Sequence, residues 1–288
     1  MFQPLFYLQV ALALFTIALL VAWIRFGRPQ SDDDRGFPTA THIGLGFVIN
    51  FFDTLGIGSF APTTAMYRLL KLVPDERIPG TMNVGHTLAT ILQAFIYTKL
   101  IEVEFRTLVT MIIASVLGAW LGAGIVAHWP RRKIQIGMGS ALLVAAVLFT
   151  LTNLGIVAGG GEATALTGPK LAVAAVGNFG LGALMTLGIG LYGPSLIMIS
   201  MLGMNPRVAF PIMMGSCAFL MVVAGIRFLK AGAYRQRPAL GLTIGGIPAV
   251  LVAAFIVKSL SLTTMRWLVV VVVLYTAVTM LRSAVKRA

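Results

Sequence analysis

Apolar runs long enough to cross a bilayer fall near residues 5–24, 80–98, 107–127, 134–154, 208–228, 239–257 and 267–281, because about 20 apolar residues in a helix span a hydrocarbon core of about 30 Å. Two further apolar regions, 43–73 and 172–205, are interrupted. Residues 54–62, TLGIGSFAP, return 132 positions later as TLGIGLYGP at 186–194, with six of the nine positions identical. The offset holds without a gap at Met66/Met198, Leu70/Leu202, Pro74/Pro206, Pro79/Pro211 and Met82/Met214. The chain therefore reads as two copies of one unit, and the repeated feature is a helix break inside apolar sequence. This pattern predicts an all-α polytopic membrane protein. Residues 1–41 form an N-terminal transmembrane helix and a cytoplasmic linker, 42–156 a first repeat and 170–288 a second. Internally repeated, interrupted helices point to a transporter whose site lies between the copies.

Composition narrows this further. The chain is 58% hydrophobic and 11% charged, more apolar surface than a soluble domain of this length could hide. A net charge of +13 on a polar chain would suggest nucleic acid; here Lys and Arg fall between apolar runs and set orientation instead. If both interrupted regions re-enter on the side they left, 16 of the basic residues face the cytoplasm and 6 face outward. If both cross, the split is 13 to 9, with Arg131-Arg132-Lys133 outside. The first arm, 43–57, is also short, about 22 Å at 1.5 Å per residue. Positive charge selects re-entry, so each repeat is a re-entrant broken-helix hairpin plus three transmembrane helices, and the second copy is inverted relative to the first. Arg25 and Arg28 follow the first apolar run and no basic residue precedes it, which suits an uncleaved helix with its N-terminus outside and the C-terminus of the chain in the cytoplasm.

The repeated nonapeptide carries chemistry of its own. Gly56, Gly58, Gly188 and Gly190 let the backbone turn, and Pro62 and Pro194 suit the first turn of a new helix. Each break thus ends in a helix N-terminus with unpaired N–H groups and a positive dipole end, and two such ends facing each other would cradle an oxyanion. Ser59, Thr63, Thr64, Tyr192 and Ser195 supply hydroxyls for substrate there.

Asn83, His86, Thr90, Gln93 and Tyr97 follow at spacings of 3, 4, 3 and 4, one polar stripe down a helix. Asn50 and Asp53 share a face of the preceding arm. None of this is repeated: Asp53 aligns with Met185, Asn83 with Gly215 and His86 with Ala218. An ionisable group inside a span marks a pathway or coupling site, so Asp53 is the candidate to carry a proton or hold a cation, with Asn50 and Gln93 on the same pathway. Asn83 and His86 are candidates to meet substrate. The competing reading is a hydrogen-bond network that holds helices together.

The rest is negative. A single cysteine, Cys217, and three scattered histidines, His42, His86 and His128, offer no disulfide, metal cluster or nucleophile–base pair. No nucleotide-binding signature is present. No cofactor, metal, nucleic-acid partner or enzymatic activity is expected; the partners are a small anion, H+ or a cation, and the lipid bilayer, and oligomeric state is not legible.

Gly56-Ile57-Gly58-Ser59-Phe60-Ala61-Pro62, its copy Gly188-Ile189-Gly190-Leu191-Tyr192-Gly193-Pro194, and the span opening Pro79-Gly80-Thr81 make the chain, over roughly 40–288, resemble the sulfite exporter family TauE/SafE. The resemblance implies an anion permease of the bacterial inner membrane that moves sulfite, organosulfonates or related small anions. The expectation is a secondary transporter working outward, with a small oxyanion held at mid-membrane between two re-entrant helix N-termini. An anion channel, or an intramembrane enzyme or redox-assembly protein, are the alternatives. A single cysteine placed in the 74–79 loop should react with membrane-impermeant thiol reagents only from the cytoplasmic side; labelling from outside would overturn re-entry.

Overall fold

A computed structural model describes residues 2–122, 131–154, 156, 161–186, 188–259 and 262–285. His128, the end of the 107–127 run and Gly159-Gly160 lie outside them. Among the described residues the helices are α1 (Phe2–Phe26), α2 (Ala40–Thr54), α3 (Phe60–Leu69), α4 (Ile78–Gly85), α5 (Thr87–Leu100), α6 (Phe105–Leu117), α7 (Arg131–Asn153), α8 (Gly168–Met185), α9 (Tyr192–Met201), α10 (Ala209–Ala231), α11 (Gln236–Ser259) and α12 (Leu262–Val285). A π-helical turn over Gly118–Gly122 extends α6. An isolated bridge joins Ala163 to Met204. Three stretches, Pro4–Phe26, Pro206–Ala231 and Gln236–Ile256, are long and apolar enough to cross a membrane.

The 132-residue offset recurs in the folded chain. It carries α3 onto α9 residue for residue, and it carries α2 onto α8, α4 with α5 onto α10 and α7 onto α12 within a few residues at each end, while α6 starts in register with α11 and ends earlier. The contacts follow the same rule. Helix α2 packs on α11 as α6 packs on α8, and α7 and α12 pack on each other. Where a sequence-level stripe ran unbroken over 80–98, the helix is interrupted at His86, although His86 N–H still bonds the Met82 carbonyl and the His86 carbonyl accepts from Thr90 N–H.

Direction is readable from side-chain meetings. The ring of Tyr97 near the end of α5 stacks on Phe210 at the start of α10, centroids 5.5 Å apart, while Gly225 late in α10 lies against the Asn83 carbonyl in α4. Helices α4 and α5 therefore run antiparallel to α10. The outer ends of each broken pair come near one another. Thr39 and His42 at the start of α2, Tyr67 and Arg68 at the end of α3 and Lys71 to Asp75 after it line one cavity. In the second copy, Asn205 after α9 donates its N–H to the Ala163 carbonyl ahead of α8.

The loops gather at two ends. The linker after α1 is fastened to the α10–α11 turn: Asp34 accepts the N–H groups of Gln236 and Arg237 at 2.9 and 2.8 Å, and Arg28 N–H donates to the Tyr234 hydroxyl at 3.0 Å. At the other end Glu104 N–H donates to the Thr164 carbonyl, and Leu166 N–H to the Thr107 hydroxyl. Between the ends an apolar belt faces outward from α1 (Leu14, Ile17, Val21, Ile24), α7 (Val144, Val147) and α11 (Leu251, Phe255), as a lipid-facing surface requires.

Small residues bring the arms together. Gly46 of α2 lies against Gly241 and Leu242 of α11, and Gly182 of α8 against the Ser115 backbone of α6, the close backbone approach that drives helix association where lipid removes the hydrophobic incentive. A Cβ on Gly46 would sit 2.5 Å from the Gly241 carbonyl oxygen, whereas one on Gly44 meets nothing within 4 Å. Gly46→Val should cost about 1–3 kcal/mol, seen as a lowered thermal midpoint in detergent, and Gly44→Val should leave the midpoint in place.

Candidate functional site

The helices that lead into the two breaks, α2 and α8, end in the same cap. Gly56 N–H returns to the Asp53 carbonyl and Ile57 N–H to Phe52; Gly188 returns to Met185 and Ile189 to Leu184. Gly56 and Gly188 hold the left-handed backbone this cap needs, at φ +97° and +83°. Beyond the cap the copies diverge: Gly58 is left-handed too, at φ +87°, and Gly190 is not. Chain resumes as helix at Phe60 and Tyr192, with Pro62 and Pro194 as third residues, where no backbone donor is needed.

Asp53, in the last turn of α2, turns its carboxylate toward the start of α3. Gln93 Nε2 donates to its carboxylate at 2.9 Å, and the hydroxyl and backbone N–H of Ser59 face the same group. The helix N-terminus of the first break is thus already occupied by a carboxylate of the chain itself. Gln93 is shared between the copies. Its amide also donates to Thr54 Oγ1 at 3.0 Å, and its Oε1 accepts from the Tyr192 hydroxyl at 2.7 Å. One side chain of α5 therefore joins the arm of one copy to the break of the other. Tyr97 completes this end by donating to the Thr54 carbonyl.

His86 does not pair with Asp53. Its Nδ1 lies 3.0 Å from Asn50 Oδ1 and its Nε2 2.9 Å from Thr63 Oγ1. Asn50 Nδ2 is committed to the Gly46 carbonyl, so Asn50 Oδ1 accepts and His86 Nδ1 carries the proton. Thr63 has one hydroxyl proton, which the Ser59 carbonyl at 2.6 Å also claims. The remaining candidates lie elsewhere. Asn83 Nδ2 turns back to the Pro79 carbonyl. Thr64 Oγ1 contacts Met82 Sδ at 3.5 Å. Ser195, fully buried, has a hydroxyl with no partner among the described residues.

A vestibule of about 620 Å³ opens at the end that carries Arg68 and Asp75, runs past Thr64 and Met82, and reaches Gly188 and Gly190. Inward of it the space shrinks to about 40 Å³ beside Phe60 and Tyr192, then to about 10 Å³ among Asp53, Ser59, Thr90, Tyr192 and Cys217, room for about one water. Gly190 borders all three spaces. Thr54, Thr90 and Cys217 belong to this neighbourhood. Thr90 belongs to the polar stripe and Thr54 opens the repeated nonapeptide, but neither Thr54 nor Cys217, whose thiol lies 3.5 Å from Met185 Sδ, is a site candidate from sequence.

A Cβ at Gly58 would meet only Tyr192 Cβ at 3.9 Å, and one at Gly190 nothing within 4 Å, so the cost of Gly→Ala at each is set by backbone. Gly58→Ala should destabilise by about 1–2 kcal/mol and Gly190→Ala should be neutral, measured as thermal midpoints in detergent.

Comparison with protein-family models matches residues 2–149 to Sulfite exporter TauE/SafE. The match covers just over half of the chain and takes in α1, which the sequence resemblance had left outside. No curated protein and no solved structure matches.

Proposed function

The chain belongs to the sulfite exporter TauE/SafE family, and from that premise we propose that it is a secondary transporter that carries a small oxyanion, sulfite or an organosulfonate, outward across the bacterial inner membrane. The family consists of membrane transporters of sulfite-like anions, and no enzymatic role is assigned. The observation that supports the site is the vestibule that ends on two duplicated breaks, with a water-sized space between their helix N-termini. Antiparallel α5 and α10, and broken pairs whose outer ends come near one another, support two inverted repeats with re-entrant hairpins. In that orientation the end bearing the linker, the 70–77 turn and the 232–238 turn is cytoplasmic, and the vestibule opens inward. A path that narrows to the size of one water favours alternating access over an open pore.

Asp53 gives the two ends different roles. The N-terminus of α3 is filled by its carboxylate, whereas α9 has Met185 in the equivalent place. The substrate anion binds first at the α9 end, beside Gly190 and Tyr192. It engages the α3 end only when Asp53 takes up a proton or swings aside, which links anion movement to protons. An inside-negative potential adds about 2.3 kcal/mol per 100 mV to expulsion of a monoanion.

Saturable, counterflow-competent flux of sulfite or a small sulfonate in proteoliposomes is the expected result, under imposed potential and pH gradients. Asp53→Asn should retain flux and lose its dependence on pH. Absence of flux for sulfite, sulfate, thiosulfate and sulfonates would remove the sulfur-anion assignment, and an unchanged pH profile would make Asp53 structural.

A further inference from the structure

A second cavity of about 710 Å³ lies on the vestibule end of the bundle, between the turn after α3 and the start of α11, lined by Tyr67, Arg68, Lys71, Arg235 and Arg237 together with Asp34 and Asp75. Its acids are already committed. Asp34 accepts the N–H groups of Gln30, Gln236 and Arg237, and Asp75 takes Arg68 Nε at 3.0 Å. The surplus charge of the lining is positive.

The internal repeat supplies a control. After α3 and after α9 the chain makes the same helix-ending cap, with Leu72 N–H to the Tyr67 carbonyl and Met204 N–H to the Ile199 carbonyl. The second copy places Gly203 at the left-handed position, φ +96°. The first copy places Lys71 there, at φ +53°, the one non-glycine residue with positive φ among the described residues. An L residue is strained in that backbone, and strain of this kind persists where a site requires it. Tyr67 replaces Ile199 and Arg68 replaces Ser200. Tyr67 is one of the lining residues, and its hydroxyl is fully buried with no hydrogen-bond partner among the described residues. A cap that needed only to end a helix would use none of these groups.

We propose that this cavity binds a tetrahedral oxyanion through Lys71, Arg68 and the Tyr67 hydroxyl, and hands it to the vestibule. Arg68 and Asp75 line both spaces, and Arg68, paired to Asp75 through Nε alone, keeps the rest of its guanidinium fork for a second acceptor. The loading role rests on the transport reading; occupancy of the cavity does not. The phosphate of an anionic lipid headgroup has the same chemistry as free sulfate, and the test separates the two sources.

Full-length protein in uncharged detergent is titrated calorimetrically with sodium sulfate and with short-chain phosphatidylglycerol. Lys71→Gly and Tyr67→Phe should each weaken binding about ten-fold, the loss of one charge-assisted or buried hydrogen bond. Neither should lower the thermal midpoint, since one relieves left-handed strain and the other removes no bond. In proteoliposomes both variants should raise KM for anion taken from the vestibule side and leave kcat unchanged. Binding of sulfate alone assigns the free anion, and displacement of sulfate by the lipid assigns the headgroup; either supports the site. Equal affinity for both ligands in wild type and variants, or no binding by wild type, overturns it. Binding lost in the variants without flux of any anion would leave this site standing and remove the transport reading.

Discussion

A helix interrupted inside hydrocarbon exposes backbone N–H and C=O groups that no water can satisfy, and each unsatisfied group costs several kcal/mol. The rest of this structure is arranged around that constraint. Where the first helix of each pair ends, a left-handed glycine, Gly56 or Gly188, turns the chain so that the next N–H groups return to carbonyls of the helix just left. On the N-terminal side of α3 the donors of Ser59 face the Asp53 carboxylate. Asp53 is in turn held by Gln93, whose amide also reaches Tyr192 of the other break. Without the polar groups of α4 and α5 the first break would have few partners outside its own helices.

The scaffold is duplicated and the chemistry is not. Exchanging the copies returns the α2–α11 and α6–α8 pairs in contact, because packing there depends on small residues such as Gly46 and Gly182, which let backbones meet. The carboxylate, the histidine and the amides gathered around the breaks sit on one copy. Asp53, Asn50, His86 and Gln93 all belong to the first repeat, and the second contributes Tyr192 and an uncharged helix N-terminus. A pair of equivalent helix ends is thereby made inequivalent by a single carboxylate, which is what distinguishes the proposed substrate end from the proposed coupling end.

The same inequality appears at the surface. Both copies end their second broken helix with one cap, yet Lys71, Arg68 and Tyr67 stand where the other copy has Gly203, Ser200 and Ile199. Charge is thus concentrated at the end where the vestibule opens, so the route from surface to breaks passes basic groups first and apolar walls afterwards.

Most of the architecture was legible in the chain. A nonapeptide repeated at a fixed offset marks a backbone geometry, and glycine and proline impose that geometry locally, so the two breaks follow from residues 54–62 and 186–194, and the all-helical class from the apolar runs around them. The spacing of Asn83 to Tyr97 likewise marked one helix face, since a helix places residues three and four apart together. Which of those groups would meet was decided elsewhere. His86 could equally have faced Asp53 as Asn50 and Thr63, and Asn83 could have joined the site instead of bonding Pro79. The outcome depends on how α4 and α5 rotate against α2 and α10, which is fixed by packing between residues far apart in sequence. Gln93 reaching Tyr192 across 99 positions, the occupation of one helix end by Asp53, and the cavity beside Lys71 exist only once those helices are in place, because local sequence sets where a chain turns and tertiary contact sets what it turns toward.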